Sequence, residues 1–302
     1  MVRAFARPNA RIEFMPMLFG HESRFVTGPA PVSVPVCPPL QLAALPNGQL
    51  AFRSRGDGEA VVFLHGLLGS SKSWAFQFAH LSRNYRVIAW DAPGYGQSEL
   101  VSASIDAYVQ ALCGFVACIG RPRISLIGHS MGGAVAACFA ARFPELVSRL
   151  VLSCSHAGYG DPEAAPMPSK LESRMREFYE IGPIAYGANR ARELLPASVP
   201  TCVFDHAAEI ASEVNPEGLR RATWMLQRAD NRPLLPTLRM PILVLTGEMD
   251  TDVRPDLKAD LLRLTPMTRH VEMPGVGHAP YFEMPDSYSE LIESFLSDGQ
   301  RE

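Results

Sequence analysis

Short, unbroken apolar runs recur along this chain, each followed by a segment with helical spacing, and no other feature limits the fold as much. Residues 60–64 (AVVFL) contain no polar position, so a strand there must be covered on both faces. Residues 73–83 then read as a helix, 85–90 as a strand, 105–119 as a helix, 124–127 as a strand, 131–143 as a helix and 149–153 as a strand. Much later, 241–246 and 270–273 read as strands, with helices over 254–264 and 287–296 after them in turn. Strands separated by helices pair in parallel through right-handed crossovers. The expected class is therefore α/β, a mostly parallel central sheet flanked by helices. At the front, two apolar runs at 40–45 and 50–53 flank Pro46-Asn47-Gly48. Asn-Gly accepts positive φ at both turn positions, so this reads as a β-hairpin.

The alternation breaks between about 156 and 236, which holds helical candidates (170–179, 190–195, 207–214, 216–228) and no clear strand. A stretch of this kind between two strands is expected to form a helical cap inserted after the sixth strand. Residues 39–155 and 237–302 would then form the core. Residues 1–38 carry Pro29, Pro31, Pro35 and Pro38. Such spacing excludes a regular helix or a central strand, leaving a proline-rich arm.

The net charge of −3 and the pI near 6.3 offer no basic footprint for nucleic acid or an anionic membrane. No stretch reaches the roughly 20 apolar residues of a membrane span. The first residues lack the apolar run of a signal peptide. The six cysteines form no CxxC pair and read as reduced thiols. The cytoplasm is the expected compartment. Neither a metal site nor a nucleotide loop is evident, so no cofactor is expected. The oligomeric state stays open, a homodimer among the options.

The strongest local signal is Gly128-His129-Ser130-Met131-Gly132-Gly133, which follows one strand and opens a helix, the context in which G-x-S-x-G carries meaning. The glycines remove Cβ atoms that would clash at a sharp strand-to-helix bend. The bend lifts the Ser130 hydroxyl clear of its backbone, at a helix N-terminus that favours developing negative charge. Acyl transfer needs two donors aimed at the oxygen that becomes negative. The backbone N–H of Met131 is one. The second is expected from His65-Gly66-Leu67-Leu68-Gly69, at Leu67 in preference to Leu68, with His65 tying down the loop. An acid is expected just past the strand at 241–246, where Asp250 is favoured and Glu248 and Asp252 are rivals. His278, between Gly277 and Ala279 after the last strand, is the expected base, giving the chain order Ser, Asp, His.

These residues resemble the α/β-hydrolase family over about 40–296. The likeness includes Asp91-Ala92-Pro93-Gly94-Tyr95-Gly96-Gln97-Ser98, similar to the family's D-x-x-G-x-G-x-S loop. It also includes Gly247 with Asp250 three residues on, then Val253 and Pro255. The resemblance implies Asp250 rather than Asp252 as the acid, and it gives Glu283 and Pro285 no chemical role. Residues 229–236 look like the ester and enol-lactone hydrolase branch. Carbon–carbon hydrolases of vinylogous diketones share the core but typically carry Asn before the nucleophile and Trp after the histidine, where this chain has His129 and Ala279. Dehalogenases and epoxide hydrolases use an aspartate in place of Ser130. The expected activity is hydrolysis of a small ester or lactone, with Tyr159, Phe178 and Trp224 of the cap lining the substrate pocket. A slow-turnover ligand sensor on the same fold is the rival from another class.

Overall fold

The computed structural model describes residues 33–46, 48–162, 165–166, 168–265 and 268–298. Eight strands form one sheet: β1 (Leu40–Leu45), β2 (Gly48–Arg55), β3 (Ala60–Leu64), β4 (Arg86–Trp90), β5 (Ile124–His129), β6 (Val147–Ser153), β7 (Ile242–Gly247) and β8 (Thr268–Met273). Their spatial order is β1-β2-β4-β3-β5-β6-β7-β8. The first two strands pair antiparallel, β2 runs antiparallel to β4, and all later neighbours are parallel. The expected parallel sheet is present, and the hairpin supplies its antiparallel edge.

Register explains why the strands read as unbroken apolar runs. Val62 and Leu64 point into one apolar layer, while Val61 and Phe63 point into the other. Side chains alternate across a strand, so a strand covered on both faces has no position to give to water. Helices α2 (Ile105–Ile119) and α3 (Met131–Arg142) close the first layer. Helices α1 (Ala75–Leu81) and α9 (Pro285–Ser297) pack together over the second. Alanines crowd the buried face of α3, and Ala134, Ala136, Ala137 and Ala140 are almost wholly enclosed. Small side chains let that helix approach the sheet closely.

Two local expectations are corrected. Gly48 already pairs opposite Leu45, so the connecting loop is centred one residue earlier than an Asn-Gly turn would be; Asn47 itself lies outside the described residues, as does the arm up to residue 32. The helix expected over 73–83 begins as a 3₁₀ turn, Ser71–Trp74, capped by the Ser70 hydroxyl, and continues into α1.

The helical insert follows β6, as the broken alternation implies. It contains α4 (Ser169–Leu194), α5 (Thr201–Ser212) and α6 (Pro216–Arg228). The candidates at 170–179 and 190–195 are parts of one element. It breaks at Gly182, whose φ of 78° and ψ of 166° are not helical, and restarts at Pro183. Glycine takes the left-handed angle and proline is pre-set for a first turn. Beyond the insert, α7 (Pro255–Leu264) and the short α8 (Pro280–Glu283) flank the last two strands. No helix among the described residues is long and apolar enough to cross a membrane.

Candidate active site

Ser130 sits at the bend between β5 and α3 with φ 51° and ψ −119°. A non-glycine residue held there stores roughly 1–3 kcal/mol, which the surroundings must enforce. They do so by close packing. A Cβ on Gly128 would fall 2.5 Å from the Gly132 carbonyl oxygen, and one on Gly132 would fall 2.3 Å from the Leu64 carbonyl oxygen. The Ser130 N–H donates to Ser153 O at 2.9 Å, and the Ser155 hydroxyl donates to Ser130 O at 2.7 Å.

The loop after β8 brings His278 to this bend. Its Nε2 lies 3.1 Å from Ser130 Oγ, and its Nδ1 lies 3.0 and 3.1 Å from the two carboxylate oxygens of Asp250. Asp250 follows β7 and also accepts the N–H groups of Asp252 and Val253 at 2.9 and 3.3 Å. Burial would raise its pKa, but the hydrogen bond and charge of His278 and these backbone donors outweigh burial and hold it below the usual carboxylate range. An ionised Asp250 fixes the proton on Nδ1, leaving Nε2 as the acceptor facing the Ser130 hydroxyl. The two rival acids are occupied elsewhere: Glu248 accepts from Gly275 N–H, and the Asp252 carboxylate lies 3.7 Å from Lys170.

The loop after β3 lies against the bend; a Cβ on Gly66 would be 3.2 Å from that of Ser130. Its peptide planes are fixed. The Gly66 carbonyl accepts from Gly69 N–H at 3.0 Å and from His65 Nδ1 at 2.7 Å. In a trans peptide the following N–H points the opposite way, so Leu67 N–H is turned out of the loop interior. His65 Nε2 accepts from Ala92 N–H at 2.9 Å, which places the His65 proton on Nδ1. Burial holds His65 below its ordinary pKa, keeping that neutral form. Asp91 secures the other side of the loop by accepting Ser71 N–H at 2.6 Å. Met131 is fully buried at the first turn of α3.

A cavity of about 160 Å³ opens above Ser130 and His278. Tyr159 lines it, with its ring against His156 at 4.6 Å. Phe178 and Trp224 are not among the lining residues. Phe178 packs on Tyr186 and Tyr179, and Trp224 lies under the Arg228 guanidinium at 4.4 Å. From α6 it is Leu219, Thr223, Leu226 and Gln227 that face the cavity. Trp224 lies about 100° round the helix from Thr223, which turns it away. The sequence reading missed His156, Lys170 and Arg174 on the cavity wall. His156 carried a signal: like Asp250 and His278 it follows the C-terminal end of a strand, where open parallel sheets bind ligands.

His129 lies beneath the pair, 4.9 Å from the His278 ring and 4.8 Å from Tyr281. Burial, then the charge of His278, hold it far below the ordinary histidine value, so it backs the base as a neutral ring. Sγ of Cys154 lies with a carboxylate oxygen of Asp250 and a ring nitrogen of His278, all within 4.8 Å of one another. Burial, then the charge of Asp250, raise the Cys154 thiol, and His278 Nδ1 is already committed to Asp250.

A part-buried serine, imidazole and carboxylate thus stand in line at one sheet edge. The profile of the alpha/beta hydrolase family matches residues 61–291, and the chain belongs to that family. It is 29% identical over 271 residues to a 2-hydroxy-6-oxononadienedioate/2-hydroxy-6-oxononatrienedioate hydrolase of a Pseudomonas species, covering 83% of this chain and 93% of the relative. It is 27% identical over 256 residues to a pimeloyl-[acyl-carrier protein] methyl ester esterase of Vibrio vulnificus, covering 82% and 97%. The fold of the enol-lactonase from Burkholderia xenovorans superposes with a TM-score of 0.76 at 24% identity, over 85% of this chain and all of that one. The chain is thus an enzyme of the hydrolase class.

Proposed function

We propose that this protein is a serine hydrolase that cleaves a small carboxylic ester or enol-lactone through an acyl-enzyme. The observation that carries the reading is the continuous hydrogen-bonded line from Ser130 Oγ through His278 to Asp250. His278 takes the Ser130 proton as the oxygen attacks the carbonyl, and Asp250 stabilises the resulting imidazolium. The N–H groups of Leu67 and Met131 hold the oxyanion, which forms only after attack and so favours the transition state over the bound substrate. His278 gives the proton to the departing alkoxide or enolate. It then activates water to release the acid. The helical insert, residues 156–236, serves as the cap. The cavity is small for a ligand site, in keeping with a small substrate. The six cysteines are free thiols, which supports a reducing compartment such as the cytoplasm.

Ser130→Ala should lower turnover of 4-nitrophenyl acetate by roughly four orders of magnitude or more. Near-normal hydrolysis by this variant would overturn the assignment. A second reading has one observation in its favour. The Pseudomonas relative is a hydrolase of a 2-hydroxy-6-oxo dienedioate, a compound with no ester, so its hydrolysis splits a carbon–carbon bond. His129 and Ala279 stand where that chemistry typically has Asn and Trp. Cleavage of a vinylogous diketone at a rate above that of esters would establish the second reading. A burst on ester addition followed by near-zero turnover would instead indicate the sensor.

A further inference from the structure

In the sheet, β6 lies between β5, which leads to Ser130, and β7, which leads to Asp250. The three strands are parallel, so His156, just past the end of β6, arrives at the same edge as the catalytic groups. It is 4% exposed and lines the cavity above Ser130 and His278. Two contacts fix its ring. Nδ1 accepts from Gly158 N–H at 3.0 Å, and the Tyr159 ring meets it at 4.6 Å with the planes 63° apart. Burial keeps the ring neutral. A neutral imidazole that accepts at Nδ1 carries its proton on Nε2. No described residue accepts that proton, and the packing does not close it off: the enclosed, unpartnered ring nitrogen of this region is Nδ1 of His129. His156 therefore turns a fixed, unused N–H toward the cavity.

The other polar groups of the wall are engaged. Lys170 faces Asp252 at 3.7 Å, Arg174 faces Glu193 at 3.4 Å, and the Thr223 hydroxyl donates back to Leu219 O. Leu171, Leu219, Leu226 and Val253 line the same space with carbon. A donor without charge, set among apolar side chains, suits an acceptor without charge. A carbonyl oxygen offers two lone pairs, needs no counter-ion and has no proton of its own to place. A hydrocarbon in the same position would leave the N–H dehydrated and unpaired, which is unfavourable.

We propose that His156 determines specificity by donating its Nε2–H to an uncharged carbonyl oxygen of the substrate other than the carbonyl that Ser130 attacks. The substrate is then an ester or lactone that also bears a ketone. This rests on Ser130 as the nucleophile, so the test reads the two claims separately.

Two pairs of esters, each matched in shape, probe the two sides of the scissile bond. Ethyl 4-oxopentanoate and ethyl 4-methylpentanoate differ by a ketone in the acyl part, and 3-oxobutyl acetate and 3-methylbutyl acetate by a ketone in the alcohol part. In one pair wild type is expected to favour the ketone in kcat/KM. His156→Asn keeps an oxygen for Gly158 N–H, but its own amide N–H stops short of the Nε2 position. It should lower the ketone preference roughly five- to fiftyfold. His156→Gln carries an amide N–H out to about the reach of Nε2 and gives up the Gly158 bond. It should keep more of the preference than His156→Asn. A role confined to holding the loop predicts the reverse order. The absence of a ketone preference in both wild-type pairs, an unchanged preference in His156→Asn, or a larger fall in His156→Gln would overturn the proposal. Turnover of the hydrocarbon esters and its loss in Ser130→Ala report on the nucleophile alone. Calorimetry on Ser130→Ala protein reads the donor without turnover and with His156 in place. The ketone ester of the favoured pair should bind more tightly than its hydrocarbon partner; equal binding in both pairs would sink the assignment even where the variants fail to fold.

Discussion

Acid should loosen this protein through a histidine beside the catalytic line. His156 is almost wholly buried, and burial, more than any neighbouring charge, pushes its pKa down to about 4. In the unfolded chain the same group titrates near 6.5. Between these values the unfolded state binds the additional proton, so stability is complete above about pH 6.5 and declines as pH falls toward 4. With those two values, lowering pH from 7.5 to 5 removes about 2 kcal/mol through this residue alone. His156→Asn isolates the effect, because the Asn Oδ1 can take the place of Nδ1 and keep the bond from Gly158 N–H. Urea unfolding of both proteins at pH 7.5 and pH 5 gives two stability differences. The variant should gain about 2 kcal/mol on wild type between the two conditions. His65, His129, His206 and His270 are also held below their ordinary value, but they are common to both proteins and cancel. An offset that is the same at both pH values would refute the reasoning.

Two further outcomes are expected. Asp250→Asn should lower kcat for 4-nitrophenyl acetate by about 10⁴ with the fold intact by circular dichroism, because an amide no longer fixes the proton on His278 Nδ1; a loss below tenfold would move the acid to Glu248 or Asp252. Glu283 accepts the N–H groups of Gly277 and Ala279 at 2.8 and 2.9 Å, one on each side of His278. Glu283→Ala leaves both donors unpaired and should destabilise the protein by about 2–5 kcal/mol in denaturant unfolding while lowering kcat; an unaltered midpoint and rate would show that this clamp is dispensable.

The core was legible because its physical constraints leave direct marks in the residues. A strand covered on both faces favours an unbroken apolar run, and β3 is apolar and buried from Ala60 to Leu64. A strained serine between a strand and a helix needs glycines where backbones touch, and Gly128 and Gly132 stand at such contacts. Active residues of a parallel sheet gather past its strand ends, which put Asp250 and His278 within a short search. Glu283 was read as family pattern alone, because its use depends on a loop folding back over six residues to meet it. The hairpin itself was legible in two apolar runs about a turn, and its register, Leu45 opposite Gly48, appears only in the pairing.

The insert obeys no comparable constraint, and that is why its contribution was misjudged. Phe178 stacks on Tyr179 and Tyr186 of its own helix, and Trp224 lies under the Arg228 guanidinium one turn on. What remains to face the cavity is smaller or polar: Thr223, Gln227, His156 and Arg174. The side chains that face the cavity are thus those that packing leaves over, while the line from Ser130 through His278 to Asp250 is placed by the ends of the strands.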